Sequence, residues 1–148
     1  MFPDTAFLYG TIRSFDKESK ATMIKRIQQI SKSVAEAFEC VADVNVIESY
    51  PAVVNHKEQT DHVIRLAKTH FGEKHFSQED LPMSASEDFS YFLHHKPGCF
   101  YALGTMQEGK QLMTLHTSTY DYNDNLIPTG AFFFLKIVED RLAVNLLK

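Results

Sequence analysis

The hydrophobic pattern of the first fifty residues predicts a strand, a helix and a second strand. Residues 5–15 are rich in aromatic and β-branched side chains and alternate in part, which favours a strand bulged at its glycine. Over residues 17–39, apolar side chains recur every three or four positions, as they do on one face of a helix. Residues 42–50 alternate again, and Pro51 ends this predicted strand. The order indicates a βαβ-like or split-βαβ half-unit.

A polar joint follows, and the pattern then predicts three more helices and one strand. We place a domain boundary in this joint, near Asn55, where the character of the sequence changes. Helical spacing returns at 60–71 and at 129–142, and a further helix is expected to begin at Glu87. Residues 99–103 are short, apolar and bounded by glycines, which is typical of a strand buried on both faces.

These elements predict an α/β fold with two parts, residues 1–54 and residues 55–148. At 148 residues the chain is long enough to bury a sizeable core. The apolar fraction of 44% and the charged fraction of 23% are ordinary globular values. A net charge of −4, without a run of basic residues, makes nucleic acid and anionic membranes poor candidates as partners.

The two cysteines and the lack of targeting segments indicate a cellular compartment. Cys40 and Cys99 stand alone, without the pairing or histidine spacing of a structural zinc site, so buried free thiols are expected. No apolar run reaches the roughly 18 residues of a membrane-spanning helix, and the start lacks a signal-peptide pattern. A cytoplasmic setting is the default expectation.

His116 is the first candidate for site chemistry. It lies in a polar, turn-forming run in which Tyr120, Asp121 and their neighbours could orient an imidazole by hydrogen bonding. On spacing alone, a single histidine is more often structural than a metal ligand. The three histidines between positions 62 and 75 lack the spacing of helical metal ligands, and we interpret them as surface or half-buried residues.

Carboxylates, an arginine and serines provide the other candidates. Glu87 and Asp88 could act as an acid–base pair, but adjacent helical positions point about 100° apart, so a helix N-terminus stabilised by negative charge is the competing interpretation. Arg13 follows an apolar segment and could hold a carboxylate with its planar fork, or could be a solvated strand-end arginine. Ser84 and Ser86 lack the Gly-x-Ser-x-Gly setting of a nucleophile, so we predict no catalytic residue.

Five phrases, in order along nearly the whole chain, resemble the M20 metallopeptidase family. The similarity is strongest to its amidohydrolase branch, which includes hippurate hydrolases, N-acyl-amino-acid amidohydrolases and thermostable carboxypeptidases. The phrases are Phe-Leu-Tyr-Gly-Thr-Ile-Arg-Ser-Phe at 7–15, Tyr-Pro-Ala-Val-Val-Asn at 50–55, Met-Ser-Ala-Ser-Glu-Asp-Phe-Ser-Tyr at 83–91, Pro-Gly-Cys-Phe-Tyr-Ala-Leu-Gly at 97–104, and the stretch at 115–124 that begins Leu-His and ends Asn-Asp.

The resemblance implies a two-metal hydrolase whose catalytic domain is interrupted by a smaller lid domain that often mediates dimerisation. Residues 1–54 match the second half of the lid, and residues 55–148 match the C-terminal end of the catalytic domain. His116 matches the last metal ligand, for zinc or manganese. Arg13 matches a lid arginine associated with the substrate's carboxylate, and the loop with Ser86 and Glu87 lines the site. The implied substrates are N-acyl amino acids or small peptides.

The other metal ligands and the general base of the family lie upstream of the matched segment. One histidine cannot form a catalytic metal site, which needs about three protein ligands and an open position. We therefore expect a C-terminal part of a longer protein that is inactive alone, associating with the N-terminal part or forming a homodimer. Two alternatives remain: a non-catalytic α/β interaction or dimerisation module derived from such a hydrolase, and a plain α/β binding domain.

Overall fold

The computed structural model describes residues 3–79, 81–106, 109 and 115–146. Its elements are four α-helices and one short 3-10 helix. The α-helices are α1 (Lys17–Ala37), α2 (Lys57–Phe71), α3 (Phe89–His95) and α4 (Leu126–Leu142), and the 3-10 helix is Glu73–His75. None of the helices described has the length and apolar character needed to cross a membrane.

Local sequence signals set the start of α1 and the end of α2. Asp16 caps α1, since its Oδ1 accepts a hydrogen bond from the backbone N–H of Ser19 at 2.7 Å. This bond is the main reason that the pKa of the Asp16 carboxyl lies below its usual value. Gly72 follows α2 with a φ of 82°, a conformation that glycine adopts without the steric cost of a Cβ. The helices predicted at 17–39, 60–71 and 129–142 are therefore confirmed, with small changes in their bounds.

The predicted α/β fold class is wrong, because the part of the chain that the structure describes contains helices and no strand. Strands exist only when neighbouring segments exchange backbone hydrogen bonds. No backbone hydrogen bond joins residues 5–15 or 42–50 to any other described residue. In 99–103, Phe100 bonds to a side chain rather than to a strand. The strand–helix–strand half-unit and the buried strand are thus absent from the described residues.

The chain divides into two compact units. The first comprises Met1–Val54 and Asp80–His95, and the second comprises Asn55–Glu79 and Lys96–Lys148. One boundary falls at Asn55, and the α3 segment groups with the first fifty-four residues. Whether these units correspond to the predicted lid and catalytic parts stays a prediction.

The second unit has its core between α2 and α4. Leu66 of α2 and Phe133 of α4 are 3% and 2% exposed. Aromatic rings surround them: the centroid of Phe133 lies 5.3 Å from that of Phe71 and 5.3 Å from that of Tyr101. Burying large apolar side chains in this way is the main stabilising term of a small unit.

Few residues of the first unit are buried. Ser90 and Leu93 of α3 are buried, whereas α1 contains no buried residue. The apolar stripe that predicted α1 is correct in spacing, but Ile30, Val34 and Phe38 on it are 51%, 54% and 76% exposed. The helix therefore forms with its apolar face largely open to solvent.

Candidate functional site

Arg13 and Ser86 meet in the first unit. The Nη1 of Arg13 donates a hydrogen bond to Oγ of Ser86 at 3.3 Å, across 73 positions of sequence. Both residues are exposed, so the guanidinium remains open to an anion. The structure thus brings together two of the three residues predicted to bind substrate. A substrate-binding role for this pair stays a prediction.

Glu87 lies two residues before α3 and hydrogen-bonds to the first residues of the helix. Its Oε1 accepts from the backbone N–H of Phe89 at 3.3 Å, and its carbonyl oxygen accepts from Oγ of Ser90 at 2.7 Å. Such bonds satisfy donors that a helix start leaves unpaired. This geometry agrees with the capping interpretation, and a substrate-binding role for Glu87 stays a prediction.

His116 occupies an exposed turn of the second unit, with a φ of 65°. This left-handed conformation is uncommon for a residue with a Cβ, although histidine adopts it more often than most. In the same turn the backbone N–H of Tyr120 donates to the carbonyl of Thr117 at 3.2 Å. The imidazole is thus presented at the surface by a tight turn, in agreement with the turn-forming sequence around it.

The described residues do not form a metal site. No group of three or more histidine, cysteine, aspartate or glutamate side chains among them is arranged to hold an ion. One exposed imidazole fits as a single ligand, whereas a catalytic ion needs about three protein ligands. A catalytic ion bound by His116 would need further ligands from outside the described residues.

An ionic cluster between α2 and α4 was missed by the sequence analysis. Oδ2 of Asp140 accepts from Nη2 of Arg65 at 2.7 Å and lies 2.7 Å from Nε2 of His62. The bond from Arg65, and then that from His62, lowers the pKa of Asp140. The cluster borders a cleft of about 420 Å³ that Glu58 and Arg141 also line. Arg65 and His62 lie 75 and 78 positions before Asp140 in the sequence, so no local spacing could indicate this cluster.

A second contact that sequence reasoning missed joins residues 55–56 to 98–100. The side chain of Asn55 bonds to both backbone groups of Phe100 at 2.8 Å. The N–H of His56 donates to the carbonyl of Gly98 at 3.0 Å, and its Nδ1 accepts from the N–H of Gly98 at 3.2 Å. Nδ1 is therefore unprotonated, and a neutral ring carries its proton on Nε2. Cys99, which lies between Gly98 and Phe100, is half-buried, and burial raises the pKa of its thiol, which argues against a reactive cysteine here. Cys40 is exposed, so the expected burial of both thiols is wrong for this cysteine.

Comparison with protein families gives a match over most of the chain. The model of peptidase family M20/M25/M40 matches residues 9–140. No solved structure matches the chain significantly.

Curated relatives resemble nearly all of this chain. Hippurate hydrolase of Campylobacter jejuni is 31% identical over 137 residues, which are 93% of this chain and 35% of that protein. Thermostable carboxypeptidase 1 of Saccharolobus solfataricus is 30% identical, over 88% of this chain and 33% of its own length. N-acetyldiaminopimelate deacetylase of Listeria welshimeri is 28% identical, over 93% of this chain and 36% of its own length. The chain thus spans about a third of the length of the relatives it matches.

Proposed function

Because the chain belongs to peptidase family M20/M25/M40, we propose that it supplies the substrate-carboxylate site and one metal ligand of a hydrolase. The intact enzyme would cleave the amide bond of N-acyl amino acids or small peptides. The names of the relatives support this class of reaction, since they include a hippurate hydrolase, a carboxypeptidase and a deacetylase. The match covers about a third of each relative, so the activity is proposed for the longer protein.

The contact between Arg13 and Ser86 is the observation that carries the proposal. A guanidinium presents five N–H donors in a fixed plane, and a carboxylate accepts two of them side by side. Ser86 accepts one N–H of Arg13, which limits the rotation of the exposed side chain and leaves four donors for a ligand. An amino acid's free carboxylate fits this fork, whereas a neutral ester does not.

His116 is the proposed metal ligand. Its backbone adopts a φ of 65°, which favours glycine, and its imidazole is exposed rather than used in the packing of the second unit. Strained backbone of this kind is enriched at functional sites. A divalent cation, zinc or manganese, polarises carbonyl groups and acidifies bound water in hydrolases. The further ligands would come from outside the described residues.

The arrangement of the longer protein belongs to the same proposal. Residues 1–54 would form the second half of a lid, and residues 55–148 the C-terminal part of the catalytic domain, in a cytoplasmic enzyme. The partner would be the N-terminal part of the enzyme or a second copy of the chain. Glu87 would line the site through the start of α3, where its carboxylate already bonds to Phe89.

A binding experiment on the chain tests the carboxylate site without requiring catalysis. N-benzoylglycine is titrated into the labelled chain and followed by NMR chemical shifts, beside its methyl ester. We expect the acid to bind more tightly than the ester, and Arg13→Ala to remove that preference. Arg26→Ala is the matched control, because Arg26 is an exposed arginine of α1 that contacts Gln29. Equal binding of acid and ester by the unsubstituted chain contradicts the proposed site.

A hydrolysis assay tests the expected inactivity of the chain alone. We expect no hydrolysis of N-acyl amino acids by the purified 148-residue chain in the presence of zinc or manganese. Hydrolysis that is removed by a chelator and by His116→Ala would overturn this expectation.

The alternative function is a non-catalytic interaction module derived from such a hydrolase. The open apolar face of α1, which includes Val34 at 54% exposure, supports it. The length of the protein in the cells that make it separates the two functions. An immunoblot at the mass of the 148-residue chain favours the module. A band at a mass close to that of the relatives favours the hydrolase.

A further inference from the structure

The backbone and the ring of His56 both bond to Gly98. The N–H of His56 donates to the Gly98 carbonyl at 3.0 Å, and Nδ1 accepts from the Gly98 N–H at 3.2 Å. The second bond needs a lone pair on Nδ1, which an imidazolium lacks because both of its nitrogens carry protons. Histidine is the side chain whose charge ordinarily changes between about pH 5 and pH 8. A change of protonation at His56 would therefore break this bond.

The position of His56 on α2 gives a second reason why a proton there is unfavourable. His56 is the N-cap residue of α2, and its side chain makes no capping hydrogen bond. The N-terminus of a helix carries a partial positive charge, which disfavours a cation at that end. A proton on Nδ1 would also face the Gly98 N–H, so that two donors meet without an acceptor. Both effects favour opening of the contact.

No negative charge is placed to hold a proton on the ring. Among the residues that the structure describes, no ion pair includes His56. The carboxylates in the first turns of α2 and in the last turns of α4 are paired elsewhere: Asp61 with Lys57, Glu58 with Arg141, and Asp140 with Arg65. The facing segment, residues 96–100, carries one cation, Lys96, and one thiol, Cys99. A protonated His56 would thus gain no partner in exchange for the lost bond.

The hydrogen bonds that join residues 55–56 to residues 98–100, here called the clamp, also cover the Cys99 thiol. Nδ2 of Asn55 donates to Sγ of Cys99 at 3.4 Å, beside its bond to the Phe100 carbonyl at 2.8 Å. Cys99 is half-buried, and both segments belong to the second unit. Opening of the clamp would therefore release residues 98–100 and expose this thiol.

We propose that His56 makes the clamp a pH-sensitive latch, which is closed while the ring is neutral and opens when the ring takes up a proton. The stabilising contribution of the ring is complete above about pH 6.5, where free histidine is neutral, and declines as the pH falls below that value. The opening is local, because the core around Leu66 and Phe133 contains no group that titrates in this range. The latch does not depend on the proposed hydrolysis, and its tests contain no substrate.

The reactivity of Cys99 measures the latch in the whole chain. A chain with Cys40→Ser is treated with a disulfide reagent at about pH 7.5 and at about pH 5.5, on either side of the ordinary histidine range. Each rate is divided by the rate for the same chain unfolded in urea at the same pH, which removes the effect of thiol ionisation. We expect this ratio to rise about fivefold in acid, the scale set by one hydrogen bond.

His56→Asn separates protonation from packing. The Oδ1 of asparagine can accept from the Gly98 N–H and suits an N-cap position, but asparagine does not titrate. The ratio for this variant should be the same at both pH values. His75→Asn, the same change at an exposed histidine of the 3-10 helix, is the matched control and should keep the rise in acid.

Nitrogen-15 NMR of the imidazole rings tests the latch without any change at His56. We expect the Nε2–H tautomer of this ring near neutral pH, and a shift of the Gly98 amide signal as the ring titrates. Hydrogen exchange at the Phe133 amide should be equally protected at both pH values, after correction for the intrinsic rate.

Four results would overturn the latch. The first is an Nδ1–H tautomer of His56 at neutral pH, and the second is a Cys99 ratio that stays constant in the parent chain. The third is a rise in acid that persists in His56→Asn. The fourth is a loss of protection at Phe133 equal to that at Gly98, which would mean that the whole unit unfolds.

Discussion

The side chain of Asn55 takes the place of a strand neighbour for the backbone of Phe100. Its Oδ1 accepts from the N–H of Phe100 at 2.8 Å, and its Nδ2 donates to the carbonyl of the same residue at 2.8 Å. The backbone N–H of His56 continues the pairing to Gly98. One amide thereby fixes the start of the second unit against the segment that was predicted as a buried strand.

Removing this amide should destabilise the second unit. Asn55→Ala loses two hydrogen bonds to Phe100 and a weaker one to the Cys99 sulfur, and each of the first two contributes about 0.5–1.5 kcal/mol net, so we expect the free energy of unfolding to fall by about 1–2 kcal/mol. Urea unfolding followed by circular dichroism measures it. Gln28→Ala, which removes an exposed amide from α1, serves as the control. An unchanged midpoint for Asn55→Ala would show that the clamp contributes nothing.

The Asp140 cluster should make stability depend on pH. The pKa of Asp140 in the folded chain is lowered by Arg65 and then by His62. Its stabilising contribution is therefore complete above the unfolded carboxyl's pKa of about 3.9, and disappears as the pH falls through the lower folded pKa.

Asp140→Asn tests that dependence. The variant should unfold more easily than the unsubstituted chain near neutral pH, and the difference should close in acid. Urea midpoints measured between about pH 7 and pH 2.5 give the comparison, across the carboxyl range. Asp4→Asn, at another exposed position, should show no such convergence. A constant difference at all pH values would exclude Asp140 as the titrating group.

The backbone at His116 predicts an order of stability among substitutions. Glycine has no Cβ to clash at a φ of 65°, whereas alanine keeps the steric cost of about 1–2 kcal/mol. The greater freedom of glycine in the unfolded chain offsets part of the gain. We expect His116→Gly to exceed His116→Ala in stability by about 1 kcal/mol. Equal urea midpoints for the two variants would argue against a left-handed conformation here.

Arg13 and Ser86 should differ in their effects on an N-acyl amino acid. Arg13→Lys removes the planar fork but keeps the charge, so we expect affinity for the acid to fall about tenfold, the equivalent of 1.4 kcal/mol. Ser86→Ala leaves the fork intact and loses only its hydrogen bond to Arg13, so about a threefold loss is expected. NMR titration measures both. A larger loss for Ser86→Ala than for Arg13→Lys would move the binding role to the serine.

The sequence by itself determined the helices of this protein and its family. Helix limits depend on contacts between residues a few positions apart, such as Asp16 with Ser19 and the glycine that follows Phe71. Residues 41–47 alternate between half-buried and exposed positions, but they form no strand, so this part of the sequence prediction was wrong. Family membership rests on ordered phrases that need no structure to be recognised.

Only the tertiary structure decided whether those patterns became strands and which distant residues met. A strand requires backbone partners, and no pattern within residues 5–15 or 42–50 can supply them. The contacts of Arg13 with Ser86, Asn55 with Phe100, and Asp140 with His62 span 73, 45 and 78 positions. Such contacts arise when the chain folds back on itself, so spacing along the sequence carries no record of them.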